Sequence, residues 1–230
     1  MYAFLFCWGL LMSVSTFARV IKLNTSNILL IRGEINEKSA SDFIYNLNSH
    51  DYKRGVFVYL NTPGGSVKEG MKIVHEIQKY NLSCIADTAY SMGFIIFQSC
   101  ATRYILPHSS LMQHQMAFAV RDQKYRIQNY IDYVDTMEND IIKLQSDRIN
   151  ITADEFVSRI NNDWWIYGIH AITHNCADEM VNVECTTKLT KDNYTVESGS
   201  YLYTYSKCPL VSNYIAKEKT DSDEFFFTFF

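Results

Sequence analysis

The apolar positions of this chain change period several times, and each change marks an element. Ile28-Leu29-Leu30-Ile31 is an unbroken apolar run between polar neighbours, which predicts a strand buried on both faces. Residues 38–47 read as a helix, and Gly55 to Leu60 reads as a second strand that runs into the turn Pro63-Gly64-Gly65. Ser66-Val67-Lys68-Glu69 has the spacing of a capping box, with the Ser66 hydroxyl able to hold the Glu69 amide and the Glu69 carboxylate able to reach back. The helix it starts carries Val67, Met71, Val74 and Ile77 as one core-facing stripe. A third strand, Cys84-Ile85-Ala86, leads through Asp87-Thr88-Ala89-Tyr90 into Ser91 to Phe97, apolar enough for a buried helix. Tyr104-Ile105-Leu106 and Ser110 to Gln113 read as two short strands parted by Pro107-His108. Residues 122–150 hold no Gly or Pro and place Ile127, Ile131, Val134, Ile141 and Leu144 at near-helical spacing. That is one long helix, too long for the body of a small domain, which projects or packs against a partner. Helices are also predicted from Thr152 onward and over 166–175, with a short strand at Glu179-Met180-Val181. Beyond Val181 the pattern dissolves into a stretch rich in Thr, Tyr, Ser and Lys that ends in Phe225-Phe226-Phe227-Thr228-Phe229-Phe230. Left exposed, that end would be sticky, so it is expected to dock on the body or on a neighbour.

Strands alternating with helices predict an α/β fold with βαβ crossovers and a mostly parallel sheet. Composition agrees: 230 residues, 47% hydrophobic and 20% charged, suit one folded domain with terminal extensions, and exclude disordered and fibrous classes. The net charge of −4 lacks the basic surplus that a phosphate-binding surface needs, which argues against a nucleic-acid partner. Residues 2–18 are apolar, hold no Lys or Arg and end in Ser15-Thr16-Phe17-Ala18 before Arg19. They resemble a secretory signal cleaved after Ala18, which would take the chain out of the cytoplasm; a buried N-terminal element would leave it there. The domain proper then spans residues 19–181, and residues 182–230 form a C-terminal extension without assigned structure.

Cys84, Cys100 and Cys176 sit inside apolar runs and read as small core residues, whereas Cys185 and Cys208 flank the polar segment and are the candidate disulfide. No CxxC or His/Cys cluster has zinc spacing, so neither a metal nor a cofactor is expected. Ser91 follows a strand and opens a helix, where unpaired N–H groups and the positive end of the helix dipole favour a developing oxyanion. A plain N-cap serine would have the same local sequence. The glycines of Pro63-Gly64-Gly65 let backbone amides approach a ligand, or simply make a tight loop. His114 closes the Leu111-Met112-Gln113 strand, and Asp163 follows in Asn161-Asn162-Asp163-Trp164-Trp165.

Taken together, three segments resemble the proteolytic subunit of the Clp protease, a serine peptidase family on the ClpP/crotonase fold. They are Tyr59-Leu60-Asn61-Thr62-Pro63-Gly64-Gly65-Ser66-Val67 with Gly70-Met71, Ala89-Tyr90-Ser91-Met92-Gly93, and Leu106-Pro107-His108-Ser109-Ser110-Leu111-Met112-Gln113-His114-Gln115. The resemblance covers roughly residues 27–181. It implies Ser91 as nucleophile, His114 as general base, Asp163 as the acid that orients the histidine, and the Gly65 and Met92 amides as oxyanion hole. It also implies hydrolysis of peptide bonds in unfolded polypeptides, ring-shaped homo-oligomers joined through the long helix, and a separate AAA+ unfoldase, since the chain has no GxxxxGK[ST] loop. A catalytically silent subunit or scaffold, or a crotonase-type acyl-CoA enzyme, would share this fold. Tyr90 stands where the family usually has a small residue and would crowd the site; Met116, Trp164-Trp165 and His174-Asn175 also depart from the family pattern.

Overall fold

A computed structural model describes residues 19–49 and 55–220; the apolar N-terminal stretch and the Phe-rich end lie outside the described residues. The central sheet runs in the order β2 (Ile28–Arg32), β3 (Phe57–Thr62), β4 (Ser83–Tyr90), β5 (Arg103–Gln113), β6 (Trp164–Tyr167), with β7 (Glu179–Met180) beside the start of β5. All neighbours are parallel except β5 and β6. The crossovers are α1 (Glu37–Ser49), α2 (Val67–Tyr80) and α3 (Met92–Gln98); after β5 come α4 (Lys124–Ile149), α5 (Ala153–Ile160) and the single turn α6 (His170–Thr173).

β2 is buried on both faces because the sheet is covered twice. Leu29 and Ile31 join the core that the helices build, whereas Ile28 and Leu30 face a second apolar cluster around Tyr59, Ile85, Tyr104 and Leu106. The second layer comes from β1 (Val20–Leu23), which pairs in parallel with β8 (Asn182–Cys185), and from α7 (Thr187–Lys191) through Leu189. The chain then forms an antiparallel sheet, β9 (Asn193–Ser198), β10 (Tyr201–Ser206) and β11 (Tyr214–Lys219), with β10 in the middle. Residues 182–219 are therefore organised although their pattern predicts nothing. The outer strands β9 and β11 are exposed along most of their length and the central β10 is half-buried along most of its own, so no alternation of inward apolar and outward polar residues marks them.

Three expectations about strands, helices and caps are corrected. The two short strands around Pro107-His108 are one, β5, in which residues 106–109 oppose the single residue Asp87 of β4 as a bulge. The buried Ser109 hydroxyl closes it, accepting from Leu106 N at 2.6 Å and donating to Ala86 O at 2.5 Å. The helix expected over 166–175 shrinks to α6, because Trp164-Trp165-Ile166-Tyr167 pairs as a strand, as an aromatic run prefers. The capping box at Ser66 is half made: Ser66 Oγ accepts from Glu69 N at 3.3 Å, but the Glu69 carboxylate turns to Lys72 at 2.7 Å, and Ser66 N donates to Ile35 O.

Cys84 and Cys100, expected as separate core residues, form a disulfide across β4 and the end of α3, and Cys185 and Cys208 pair as expected. The two cysteines lie on different elements, so spacing along the chain does not reveal them. Cys176 is free, and burial pushes its thiol up to about 12 against the smaller opposing effect of Arg103 and Arg159. Such bonds persist in oxidising compartments. Alkylating the unfolded, unreduced protein and mapping the adducts is expected to modify Cys176 and to spare Cys84, Cys100, Cys185 and Cys208 until reductant is added; ready labelling of Cys84 or Cys100 without reductant would contradict this pairing.

Beneath the sheet end, Arg103 is wholly buried, and its guanidinium meets Asp178 at 2.6 Å and Gln98 at 2.5 Å. Arg148 of α4 reaches the same carboxylate at 3.0 Å. Burial alone would raise the Asp178 pKa, but the hydrogen bonds and charge of Arg103, with Arg148 behind it, together hold the carboxyl below its usual range.

Candidate active site

β4 ends at Tyr90 and α3 starts at Met92, so Ser91 alone makes the turn between them. Its backbone takes φ 53°, ψ −119°, a left-handed conformation that L residues adopt only where the surroundings enforce it. The enforcement is visible. Ser91 N donates to Met112 O at 2.9 Å, and Ser91 O accepts from Phe94 N at 2.9 Å. Gly64, at φ +96°, packs so tightly on this turn that a Cβ there would lie 2.7 Å from Ser91 Cβ and 2.6 Å from Tyr90 O. Ser91 occupies the N-cap position, yet its side chain makes no cap hydrogen bond. Its Oγ instead lies 2.9 Å from His114 Nε2.

His114 follows the last residue of β5, the strand hydrogen-bonded to β4, so the sheet itself sets the separation of the two residues. Its backbone N donates to Gln113 Oε1 at 3.2 Å, and Gln113 Nε2 donates to Gln145 Oε1 of α4 at 2.6 Å. Gln145 in turn donates to Ile141 O at 3.0 Å. Both glutamines are buried with every polar atom satisfied, which makes a rigid backing for the histidine. Residue identity alone does not single out Gln113 and Gln145. Their signal is that a glutamine closes a buried strand and another lies on the core face of the long helix.

Asp163 is placed by β6. The antiparallel register ends with Gln113 paired to Trp164, so His114 and Asp163 are the residues that directly follow and precede this last pair at the same end of the two strands. Trp164 fixes that position by packing against Phe94, Phe156 and His174 and under the Arg159 guanidinium. The imidazole of His174 is held below its ordinary pKa by burial first, then by Arg159 and His170. Asp163 itself is exposed at φ 47°, and its carboxylate makes no hydrogen bond to His114 or to any other described residue. The five residues singled out by sequence thus divide. Ser91 and His114 are in contact, Gly65 and Met92 line the same cleft, and Asp163 lies outside the cleft lining, next to the strand end that carries His114 and without a hydrogen bond to it.

Gly65, at φ +141°, bridges to Ile35, and a Cβ there would collide with the Ile35 carbonyl oxygen. The bridge uses Gly64 O and Ser66 N, which leaves the Gly65 N–H without an acceptor among the described residues. The Met92 N–H, at the first position of α3, is likewise free, as a helix start requires. The cleft encloses about 250 Å³, with apolar walls from Val67, Ile95, Met116, Ile141, Ile142 and Ile160. Tyr90 does not crowd it, since its ring turns to the other side, where the hydroxyl donates to Ser110 Oγ at 3.0 Å and the ring meets exposed Trp165 edge-on. No three His, Cys, Asp or Glu side chains among the described residues come together as metal ligands.

A strand–serine–helix turn with an imidazole on its hydroxyl and two free amides beside it is equipped for acyl transfer. Comparison with known proteins narrows that class. The profile of the Clp protease family matches residues 13–184, and the chain belongs to that family. The ATP-dependent Clp protease proteolytic subunit 2 of Chlamydia abortus is 26% identical over 193 residues, covering 80% of this chain and 91% of the relative. Proteolytic subunit 1 of Bacillus cereus is 25% identical over 178 residues, covering 74% and 90%, and that of Chlamydia felis is 26% identical over 193 residues, covering 80% and 92%. Its mixed α/β fold with a mostly parallel sheet agrees with that family.

Proposed function

We propose that the chain is a serine endopeptidase that cleaves peptide bonds of unfolded polypeptides. The observation that carries this reading is the 2.9 Å contact between Ser91 Oγ and His114 Nε2 at a turn where the serine spends its hydroxyl on no helix cap. In the proposed reaction His114 Nε2 takes the Ser91 proton as Oγ attacks the substrate carbonyl carbon. The Gly65 and Met92 amides donate to the resulting oxyanion, each worth on the order of 3 kcal/mol of transition-state stabilisation. His114 then protonates the leaving amine, and water, deprotonated by the same imidazole, hydrolyses the acyl-enzyme. Cys176 does not compete as nucleophile, because its buried thiol stays protonated.

Asp163 orients His114 in this reading, by a side-chain rotation toward the imidazole across the strand end. Because it starts exposed and unbonded, Asp163→Asn is expected to lower kcat/KM for a fluorogenic peptide by about two orders of magnitude less than Ser91→Ala does. An equal loss in both variants would show that the acid contributes more than orientation; no loss would remove it from the mechanism. The same unbonded carboxylate favours a second reading, a catalytically silent subunit. Peptide hydrolysis by the purified protein that disappears in Ser91→Ala excludes it.

The names of the relatives speak of an ATP-dependent protease. This chain has no phosphate loop, so ATP-driven unfolding is assigned to a separate AAA+ protein. Ring assembly is supported by α4, whose buried residues begin only at Val134, so that its first turns leave Tyr125, Tyr130 and Tyr133 exposed for a neighbouring copy.

A further inference from the structure

The face that α4 turns to the cleft is graded. Gln145 is buried and bonded to Gln113, whose carboxamide holds the His114 backbone; Ile141 and Ile142 follow one turn back, and Glu138 another turn back, where it is half-buried. From Gln145 to Glu138 the helix spans about 10 Å at 1.5 Å per residue. Among the described residues lining the cleft Glu138 is the single carboxylate, and no Lys or Arg stands there. Glu138 also makes no ion pair or hydrogen bond with another described residue, unlike Glu69, Glu76 and Glu155, which all have cationic partners. Half-buried at the end of an apolar wall and without a partner among the described residues, the Glu138 carboxylate is placed to meet a cationic group that a ligand carries along that wall.

We propose that Glu138 sets the side-chain preference of this cleft, selecting residues with a long apolar stem and a cationic end, Lys or Arg, on the acyl side of the bond cleaved. The inference rests on the serine-peptidase reading for the reaction but on the cleft alone for the preference. A substrate acylating Ser91 directs its side chain into the space between Met92, Ile95 and the α4 face. Four methylenes of Lys, or the stem of Arg, cover Ile141 and Ile142, and the charged head arrives at the Glu138 carboxylate. Leu and Met fill the apolar part and leave the carboxylate solvated. Asp and Glu are rejected, because they bring like charge to the rim and bury a polar group against isoleucine.

The test uses two readouts. In the wild-type protein, fluorogenic peptides identical except for Arg, Lys, Leu or Glu before the scissile bond are compared by kcat/KM. The expected order is Arg and Lys above Leu above Glu, and Glu138→Gln is expected to lower the Arg-to-Leu ratio at least tenfold. In Ser91→Ala, which needs no turnover, binding of the same peptides carrying a fluorescent label is read by anisotropy, with the same order expected and the same collapse in Ser91→Ala/Glu138→Gln. Absence of hydrolysis with the binding order intact would strike the peptidase reading and leave the preference standing. Equal binding of Arg and Glu peptides, or an Arg-to-Leu ratio indifferent to Glu138→Gln, overturns the proposal.

Discussion

Ser91→Ala is expected to lower kcat/KM for peptide hydrolysis at least about 10⁴-fold, with folding intact. The expectation follows from geometry. The Ser91 Oγ is bonded to His114 and caps no helix, so its removal takes away the atom proposed to attack and little else. The residual rate would come from the Gly65 and Met92 amides and from substrate positioning, which survive the substitution. His114→Ala should fall about as far, and the double variant hardly further, because nucleophile and base act as a unit. Independent, multiplying losses in the double variant would mean that the two residues do not share a proton, and the 2.9 Å contact would then be incidental. Circular dichroism and urea midpoints of the three variants separate these outcomes from simple unfolding.

The second large effect is on stability. Asp178→Ala leaves the Arg103 guanidinium wholly buried with only Gln98 as a side-chain partner. Removing one member of a buried ion pair costs about 3–5 kcal/mol, and the partial exposure of Asp178 places this case near about 3 kcal/mol. A urea midpoint lowered accordingly, with unchanged slope, is the expected result. A double replacement by apolar residues, Arg103→Met with Asp178→Leu, should recover much of the loss, since it removes the uncompensated charge. The pH dependence has a definite sign. The carboxyl is depressed in the folded state, so the unfolded chain binds its proton first. The contribution is complete above the ordinary carboxylate pKa and disappears as pH falls from there through the depressed folded value. Wild type should therefore lose stability on acidification in a window where Asp178→Ala loses less.

Much of this molecule is legible in the sequence because its central sheet is covered on both faces. Continuous apolar runs such as Ile28 to Ile31, and the caps at Ser66 and Thr152, mark its strands and helices directly. Ser91 and His114 are legible only through the segments that resemble the Clp protease proteolytic subunit, because an N-cap serine and a lone histidine carry no signal of their own; the packing of Gly64 on the serine turn shows only in the folded chain. The segment around Asp163 was harder to read. Trp164 to Tyr167 has neither helical spacing nor clean alternation, and only pairing with β5 decides that it is a strand and brings Asp163 to the strand end that carries His114. The Cys84–Cys100 bond and the small C-terminal sheet depend likewise on contacts between distant segments.

The most direct measurement is covalent. Folded protein incubated with a fluorophosphonate and mapped by mass spectrometry should carry the adduct on Ser91 and on no other residue, at a rate that falls at least about 10²-fold in His114→Ala. An unmodified Ser91, or one that reacts equally fast without the imidazole, would contradict the view that this serine is an activated nucleophile.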